Sequence, residues 1–429
     1  MGSGFLLQTI LIFLIIFSIL VIIHEFGHFY FAKKAGILVR EFAIGMGPKI
    51  FSHRKNGTTY TVRIFPLGGY VRMAGYGDDE MELRAGMLVK IKLDDTNTIT
   101  EIDLSDKQQL DGVPMELVAY DLDKDMYLEG NVAGRDGLVR YTVKRDALIT
   151  EPDGTQVQVA PLDVQFQSAP LLKRMMTNFA GPMNNFILGI LVFSAIAFIQ
   201  GGVLVNESRI GEISPNSPAQ EAGLQEGDQV TAINGQEVKL WPELVQTIQS
   251  SPNEPLLLKV KSQSDDSVKE VSITPSIQTD EDGNEYGQIG IMQAIERSFS
   301  SKIIYGFTQT WFIITSIFSL IGSMFTRGFD VNAFGGPVAI YAATEEVVGY
   351  GFMSILSFLG YLSVNLGTVN LLPVPALDGG KLLLNLVEGV RGKPLEPEKE
   401  SVITLIGVVM LLLLMIVITW NDIQRFFFG

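Results

Sequence analysis

Cysteine is absent from the 429 residues, and histidine occurs three times, as His24, His28 and His53. The first absence excludes disulfides, cysteine-ligated zinc, iron–sulfur clusters and a thiol nucleophile. It leaves the redox state of the compartment open. The scarcity of histidine means that any imidazole metal site draws on those three residues. Basic charge is also short. Thirty-two Lys and Arg stand against 47 Asp and Glu, and the net charge of -15 argues against a nucleic-acid partner. What the chain has in excess is apolar sequence: 47% of residues are hydrophobic, gathered in a few long runs. That distribution is a membrane signature.

The first run, Phe5 to Ile23, is nearly long enough to cross a bilayer, and no helix breaker follows until Gly36. No basic segment precedes it and no small-residue cleavage site follows, so it reads as a retained span rather than a signal peptide. The other spans are expected near 173–201, in 351–390 and at 401–421. Two polar regions separate them. The segment 36–81 reads as a membrane-associated β-element. The segment 82–165 reads as a β-rich insertion, and strand-like alternation through the whole polar region is broken at Gly68-Gly69, Asp111-Gly112 and Asp153-Gly154. Residues 202–298 hold short strands and one expected helix, Pro242 to Ser250. This stretch is acidic, with 16 Asp and Glu against 6 Lys and Arg.

His24-Glu25-Phe26-Gly27-His28 has the form H-E-x-x-H. On a helix, residues four apart share a face, so both imidazoles can bind one Zn2+ while Glu25 lies close enough to take a proton from water. Ionisable side chains are costly inside a membrane helix and default to functional candidates. Taking Lys33 and Lys34 as the interface, His28 lies roughly 8 Å and His24 roughly 14 Å inside it. Zinc needs a third protein ligand and an open position. His53 sits beside Arg54 and Lys55 in a polar stretch and reads as a surface residue. Asp378 is the better candidate, in Asn370-Leu371-Leu372-Pro373-Val374-Pro375-Ala376-Leu377-Asp378-Gly379-Gly380. Two prolines there forbid regular helix, and irregular backbone at membrane depth is tolerated only where it is buried in protein or lines a wet cavity. A plain Asp-Gly turn at the end of a span is the other reading.

At these residues the chain resembles the bacterial site-2 protease family of intramembrane metalloproteases. Phe42-Ala43-Ile44-Gly45-Met46-Gly47, Pro66-Leu67-Gly68-Gly69-Tyr70-Val71, Asn178-Phe179-Ala180-Gly181-Pro182-Met183-Asn184 and Gly335-Gly336-Pro337-Val338 are similar to other segments of that family. The resemblance is weakest over the insertion. It implies Zn2+ held by His24, His28 and Asp378, with Glu25 as catalytic base. It implies that Gly68, Gly69 and Tyr70 pair with unwound substrate, and that Asn370, Pro373 and Pro375 shape the substrate path. It further implies transmembrane segments of single-span proteins as partners, among them anti-sigma factors or remnant signal peptides. The run from Gly211-Glu212-Ile213-Ser214-Pro215 to Asn234-Gly235 resembles a PDZ domain of bacterial protease type.

The expected fold class is therefore a polytopic α-helical membrane protein with four transmembrane helices, a cytosolic β-rich insertion and one extracytoplasmic PDZ-like domain. Lys33, Lys34, Arg40 and Lys49 follow the first span, and Lys173 and Arg174 precede the second. Positive-inside then places both termini and the PDZ-like domain outside a bacterial cell membrane, with the insertion in the cytosol. If 303–325 crossed fully, Asp378 would emerge a membrane thickness from the histidines. The region 299–350 is therefore expected to lie on the surface or insert partway. Two other function classes fit the same spans: a metal transporter or sensor, which needs no base at position 25, and a membrane scaffold displaying a PDZ-like domain, which needs no zinc.

Overall fold

The computed structural model describes residues 3–76, 83–105, 112–280 and 283–428. The chain forms two compact units, Met1–Val192 with Thr310–Gly429, and Phe193–Gln309. Among the described residues there are nine α-helices: α1 (Ser3–Ala35), α2 (Leu171–Ile199), α3 (Pro218–Glu221), α4 (Trp241–Gln249), α5 (Phe299–Arg327), α6 (Pro337–Tyr350), α7 (Phe352–Asn370), α8 (Asp378–Arg391) and α9 (Pro397–Ile423).

The long helix α1 carries the H-E-x-x-H sequence and ends at Gly36. There a left-handed backbone, φ +86°, lets Ile37 N–H reach Ala32 O and Gly36 N–H reach Lys33 O. This six-to-one and five-to-two pairing is the Schellman stop that glycine permits. The chain then forms two long strands, β1 (Val39–Lys55) and β2 (Thr58–Met73), both of which fold back on themselves. Residues 41–44 face 69–72 on one side and 59–62 on the other, while 49–55 face 58–63. The result is a four-segment sheet in which 69–73 is an edge, paired on one side only among the described residues.

The insertion is a barrel. Strands β3 (Leu88–Leu93), β4 (Ile99–Asp103), β5 (Val113–Asp121), β6 (Tyr127–Val132) and β7 (Leu138–Thr150) run in the order β4-β3-β5-β6-β7, and a parallel pairing of β4 with β7 closes the ring. A short β8 (Gln156–Gln158) extends from β7. Alternate residues point inward, so Ile91, Ile99, Ile102, Met115, Leu117, Leu128 and Ile149 form a fully buried core. Closure removes the free edges that an isolated sheet would present. The expected domain boundary at 81/82 and the Asp111 turn lie outside the described residues.

The second unit is a small β-rich module. Its main sheet joins 236–237, 229–233, 256–261 and 268–273. Ile210, Val230, Ile233, Leu244, Leu258 and Ile289 fill its core. The expected helix at 242–250 is α4, whose start is fixed by Glu243 accepting Leu240 N–H at 3.1 Å and Lys239 N–H at 3.0 Å.

The prolines expected to forbid regular helix divide the third span region. The segment 351–390 is two helices, α7 and α8, broken over 371–377, because Pro373 and Pro375 cannot donate and Ala376 adopts φ +76°. Among the described residues five helices are long and apolar enough to cross a membrane, the four expected spans and α5.

Candidate metal centre

His24 and His28 project from adjacent turns of α1, and Asp378 stands on the first turn of α8. Their ligand atoms form a nearly equilateral triangle. His24 Nε2 and His28 Nε2 each lie 3.2 Å from Asp378 Oδ2, and 3.3 Å from one another. Zinc held tetrahedrally at about 2.0–2.1 Å sets neighbouring ligand atoms about 3.3–3.4 Å apart, so the three match one face of such a tetrahedron. All three side chains are buried, and Asp378 Oδ2 has no hydrogen-bond donor among the described residues. A buried carboxylate oxygen facing two imidazole nitrogens and nothing else is what a cation at that point would satisfy. The donor set therefore fits zinc.

Glycines make the triangle possible. A Cβ at Gly181 would collide with His28 Nε2 and stand 2.8 Å from His24 Cε1; one at Gly27 would strike Ala180 O. Helices α1 and α2 thus meet backbone to backbone beside the histidines. The loop before Asp378 is equally tight. Side chains at Gly379 would strike Leu371 O and Leu372 O, and one at Gly380 would strike Val374 O. The proline-containing loop folds back over the start of α8 and fixes Asp378 at that depth. Helix α9 in turn packs on the loop through Gly407, where any Cβ would meet Pro375 O.

Around the ligands a further layer sets the imidazole tautomers. His28 Nδ1 lies 2.8 Å from Thr177 O, so it carries the proton and leaves Nε2 free to ligate. His24 Nδ1 lies 3.2 Å from the Asn185 amide, whose Oδ1 is otherwise buried without a partner. Turning that amide over sets Oδ1 against His24 Nδ1–H and frees the second Nε2. Asn184 Nδ2 donates to Ile23 O at 3.0 Å, another tie from α2 to α1. Near the start of α2, Arg174 forms a two-pronged ion pair with Glu388, one arm at 3.0 Å, and donates to Ala169 O at 3.1 Å. This pair joins α2 to α8, the helix that carries Asp378.

Glu25 lies one residue beyond His24, near enough to both imidazoles, Asp378 and Lys381 to interact with their charges. His53 is exposed and paired across the sheet with Tyr60, apart from the triangle, as its polar neighbours suggested. Gly68, φ +96°, begins the edge of the four-segment sheet. At Gly69 a Cβ would stand 3.4 Å from Val21, three residues before His24, and Ser18 donates to Pro66 O at 3.1 Å. The edge therefore runs beside α1 close to the metal ligands. The Tyr70 hydroxyl donates to Glu41 Oε2 at 2.8 Å. Asn370 Nδ2 caps Leu366 O at 3.0 Å at the end of α7, and Pro373 and Pro375 shape the loop that follows.

Sequence reasoning missed Thr177, Asn185, Tyr76 and the Arg174–Glu388 pair. Tyr76 donates to Asn178 Oδ1 at 2.8 Å, with Lys381 Nζ 4.0 Å from its ring centre. Polar residues within an apolar span, such as Asn185, were the available signal. A backbone carbonyl partner, such as that of Thr177, leaves no trace in sequence.

Comparison with known proteins gives a family match over most of the chain. The profile of Peptidase family M50 matches residues 12–414. The Enterococcus faecalis protein named probable protease eep is 49% identical over 426 residues, covering 98% of this chain and 100% of its own. A candidate zinc metalloprotease of Lactococcus lactis, LL2128, is 45% identical over 436 residues, covering 98% of this chain and 100% of its own. Among solved structures, the PDZ domain of the SdrC-like protein of Listeria innocua is 26% identical over 20% of this chain and 93% of its own, with a TM-score of 0.17.

Proposed function

The chain belongs to Peptidase family M50 and is a zinc metalloprotease, and on that premise we propose that it hydrolyses peptide bonds within the transmembrane segments of single-span membrane proteins. The observation that carries this reading is the buried His24–His28–Asp378 triangle, whose two histidines stand on a helix long and apolar enough to cross a membrane. Zinc bound there supplies Lewis acidity toward water and the scissile carbonyl. Glu25 receives the proton from the attacking water and delivers it to the departing amide nitrogen, so that the C–N bond breaks to a carboxylate and an amine. Thr177 O holds the Nδ1 proton of His28, and Asn185, with its amide turned so that Oδ1 faces the ring, would hold that of His24, leaving each Nε2 to ligate.

A transmembrane helix hides its scissile carbonyls in its own hydrogen bonds and must unwind before cleavage. Residues 69–73, paired on one side among the described residues and running beside α1, offer an edge on which the unwound segment adds as a strand. Gly68, Gly69 and Tyr70 belong to that edge. Asn370, Pro373 and Pro375 line the approach from α7. Met46, Ile50, Phe51, Ile64 and Phe65 are exposed apolar residues on the same sheet, suited to contact with lipid. The second unit, with its PDZ-like sequence motif, serves as a filter or capture module for substrates already shortened outside the membrane, such as anti-sigma factors or remnant signal peptides.

The four-crossing arrangement in a bacterial cell membrane is supported from within the first unit. Arg174 at the start of α2 pairs with Glu388 near the end of α8, so α9 sets out from the side on which α2 begins. At the far end of α9, Asp422 Oδ2 accepts Ala339 N–H at 3.0 Å, at the start of α6. The chain thus leaves α2 and enters α6 on the same side. A single complete crossing by α5 would break that parity, since residues 328–336 include a 3₁₀ turn over 331–333 and span at most about 30 Å even fully extended. On this reading helix α5 inserts without a net crossing, the barrel lies in the cytosol and the second unit is extracytoplasmic.

The test is cleavage of a single-span substrate by purified protein in detergent or liposomes, with and without a zinc chelator, beside Glu25→Gln. The expected result is chelator-sensitive cleavage that Glu25→Gln abolishes while retaining stoichiometric zinc. Cleavage that survives Glu25→Gln unchanged would refute it, and zinc transport without cleavage would favour a transporter.

A further inference from the structure

The four-segment sheet is a thin support for a substrate edge. It is two strands folded back on themselves, and small sheets are marginal without packing against something else. In this chain that support is the turn between β7 and β8. Arg72, on the edge, pairs with Glu151 at 2.6 Å. Arg63 reaches Asp153 at 3.6 Å. Lys49 Nζ donates to Thr155 Oγ1 at 3.2 Å, Arg54 to Gln158 Oε1 at 3.2 Å, and Thr59 Oγ1 to Gln156 O. Residues 151–158 thereby touch three of the four sheet segments.

The contacts converge on the edge. Glu41 is buried, and its two oxygens accept Thr61 Oγ1 at 2.5 Å, Arg63 at 2.9 Å and the Tyr70 hydroxyl at 2.8 Å. Tyr70 is therefore tied through Glu41 and Arg63 to Asp153, while Arg72, two residues on, is tied directly to Glu151. Burial pushes the Glu151 carboxyl up and Arg72 pulls it back, which marks a pair partly withdrawn from water. Such pairs hold geometry more firmly than exposed ones, because losing one partner strands the other.

We propose that the barrel insertion braces the substrate-pairing edge, with Arg63 and Arg72 as positioning residues that transmit its hold to Tyr70 and to residues 69–73. The inference rests on the reading that this edge pairs with substrate. The brace fixes the entropy of the edge before substrate arrives, so that strand addition does not have to order it. The insertion is thus part of substrate recognition, although its core lies apart from the metal ligands in sequence.

The experiment is a double-mutant cycle of Arg72→Gln and Glu151→Gln in the full chain, read by cleavage kinetics and by deuterium exchange. Each single variant is expected to raise KM about three- to tenfold with kcat and zinc content nearly unchanged. The double variant should be no worse than the worse single, because the pair is lost either way. Exchange at 69–73 should quicken relative to β5 in the barrel, and Arg72→Lys should restore part of both effects. Unchanged KM and exchange, multiplied rather than shared effects, or exchange raised uniformly through the barrel would overturn the brace. Faster exchange at 69–73 with unchanged KM would leave the brace standing and remove the substrate pairing instead.

Discussion

Gly181→Ala puts the metal-centre geometry to a direct test, because the change adds one methyl group and no charge. Its Cβ would stand 2.7 Å from His28 Cε1 and 2.8 Å from His24 Cε1, with His28 Nε2 nearer still. Ordinary contacts begin near 3.4 Å and His28 Nε2 would stand well inside that, so the ring must retreat by roughly 1 Å. Metal–ligand distances tolerate about 0.2 Å, and His28 cannot swing away without giving up its 2.8 Å bond to Thr177 O. A displacement on the order of 1 Å at a reacting centre costs about 100-fold in rate. Gly181→Ala is therefore expected to purify with well under one zinc per chain and to lose about 100-fold or more in kcat/KM. Zinc by mass spectrometry, cleavage of a single-span substrate and a thermal melt measure this together; the melt separates a lost site from a lost fold. A variant that keeps one zinc and cleaves within threefold of the native chain would show that the close approach of α2 to the ligands is not what shapes the site.

Three further outcomes follow from the same geometry. Removing zinc with a chelator should lower the melting temperature, since the metal binds only the folded triangle; stabilisation by about 4 kcal/mol is expected at a thousandfold excess over Kd, and a melt indifferent to zinc would count against the site. Asn185→Leu should weaken zinc binding about 10- to 100-fold by releasing His24 Nδ1, measured by competition with a chelator, with Asn185→Asp retaining more affinity than Asn185→Leu. Glu388→Gln should destabilise the first unit by about 3 kcal/mol through the Arg174 charge left behind, and Arg174→Gln with Glu388→Gln together should cost less than Glu388→Gln alone; a double variant as unstable as the single, read by denaturant melts in detergent, would show that the stranded charge is not the cause.

Some of this could be read from the residues in order. His24 and His28 had to share a face because a helix repeats every 3.6 residues, and the apolar run before them left little choice of helix or of depth. The alternation through 82–165 required a β-domain, and the inward residues of β5 and β6 are the core that alternation implies. The prolines at 373 and 375 forbade a continuous helix, even though the whole of 351–390 read as one span. All of these are local consequences of backbone geometry and of the cost of exposing apolar or unpaired polar groups, so they need no knowledge of the rest of the chain.

What the tertiary structure alone decided is which distant groups meet. Asp378 lies 350 residues from His28, and nothing periodic connects them; only the packing of α1, α2 and the loop before α8, through Gly27, Gly181, Gly379 and Gly380, brings their atoms to 3.2 Å. Thr177 O, Asn185 and the Arg174–Glu388 pair act on the site through the same long-range closures, as does the turn at 151–158 on the sheet edge. Spacing in a sequence governs neighbours along one helix or strand. Contacts between elements depend on how backbones approach in space, and those approaches are set by packing across the whole unit.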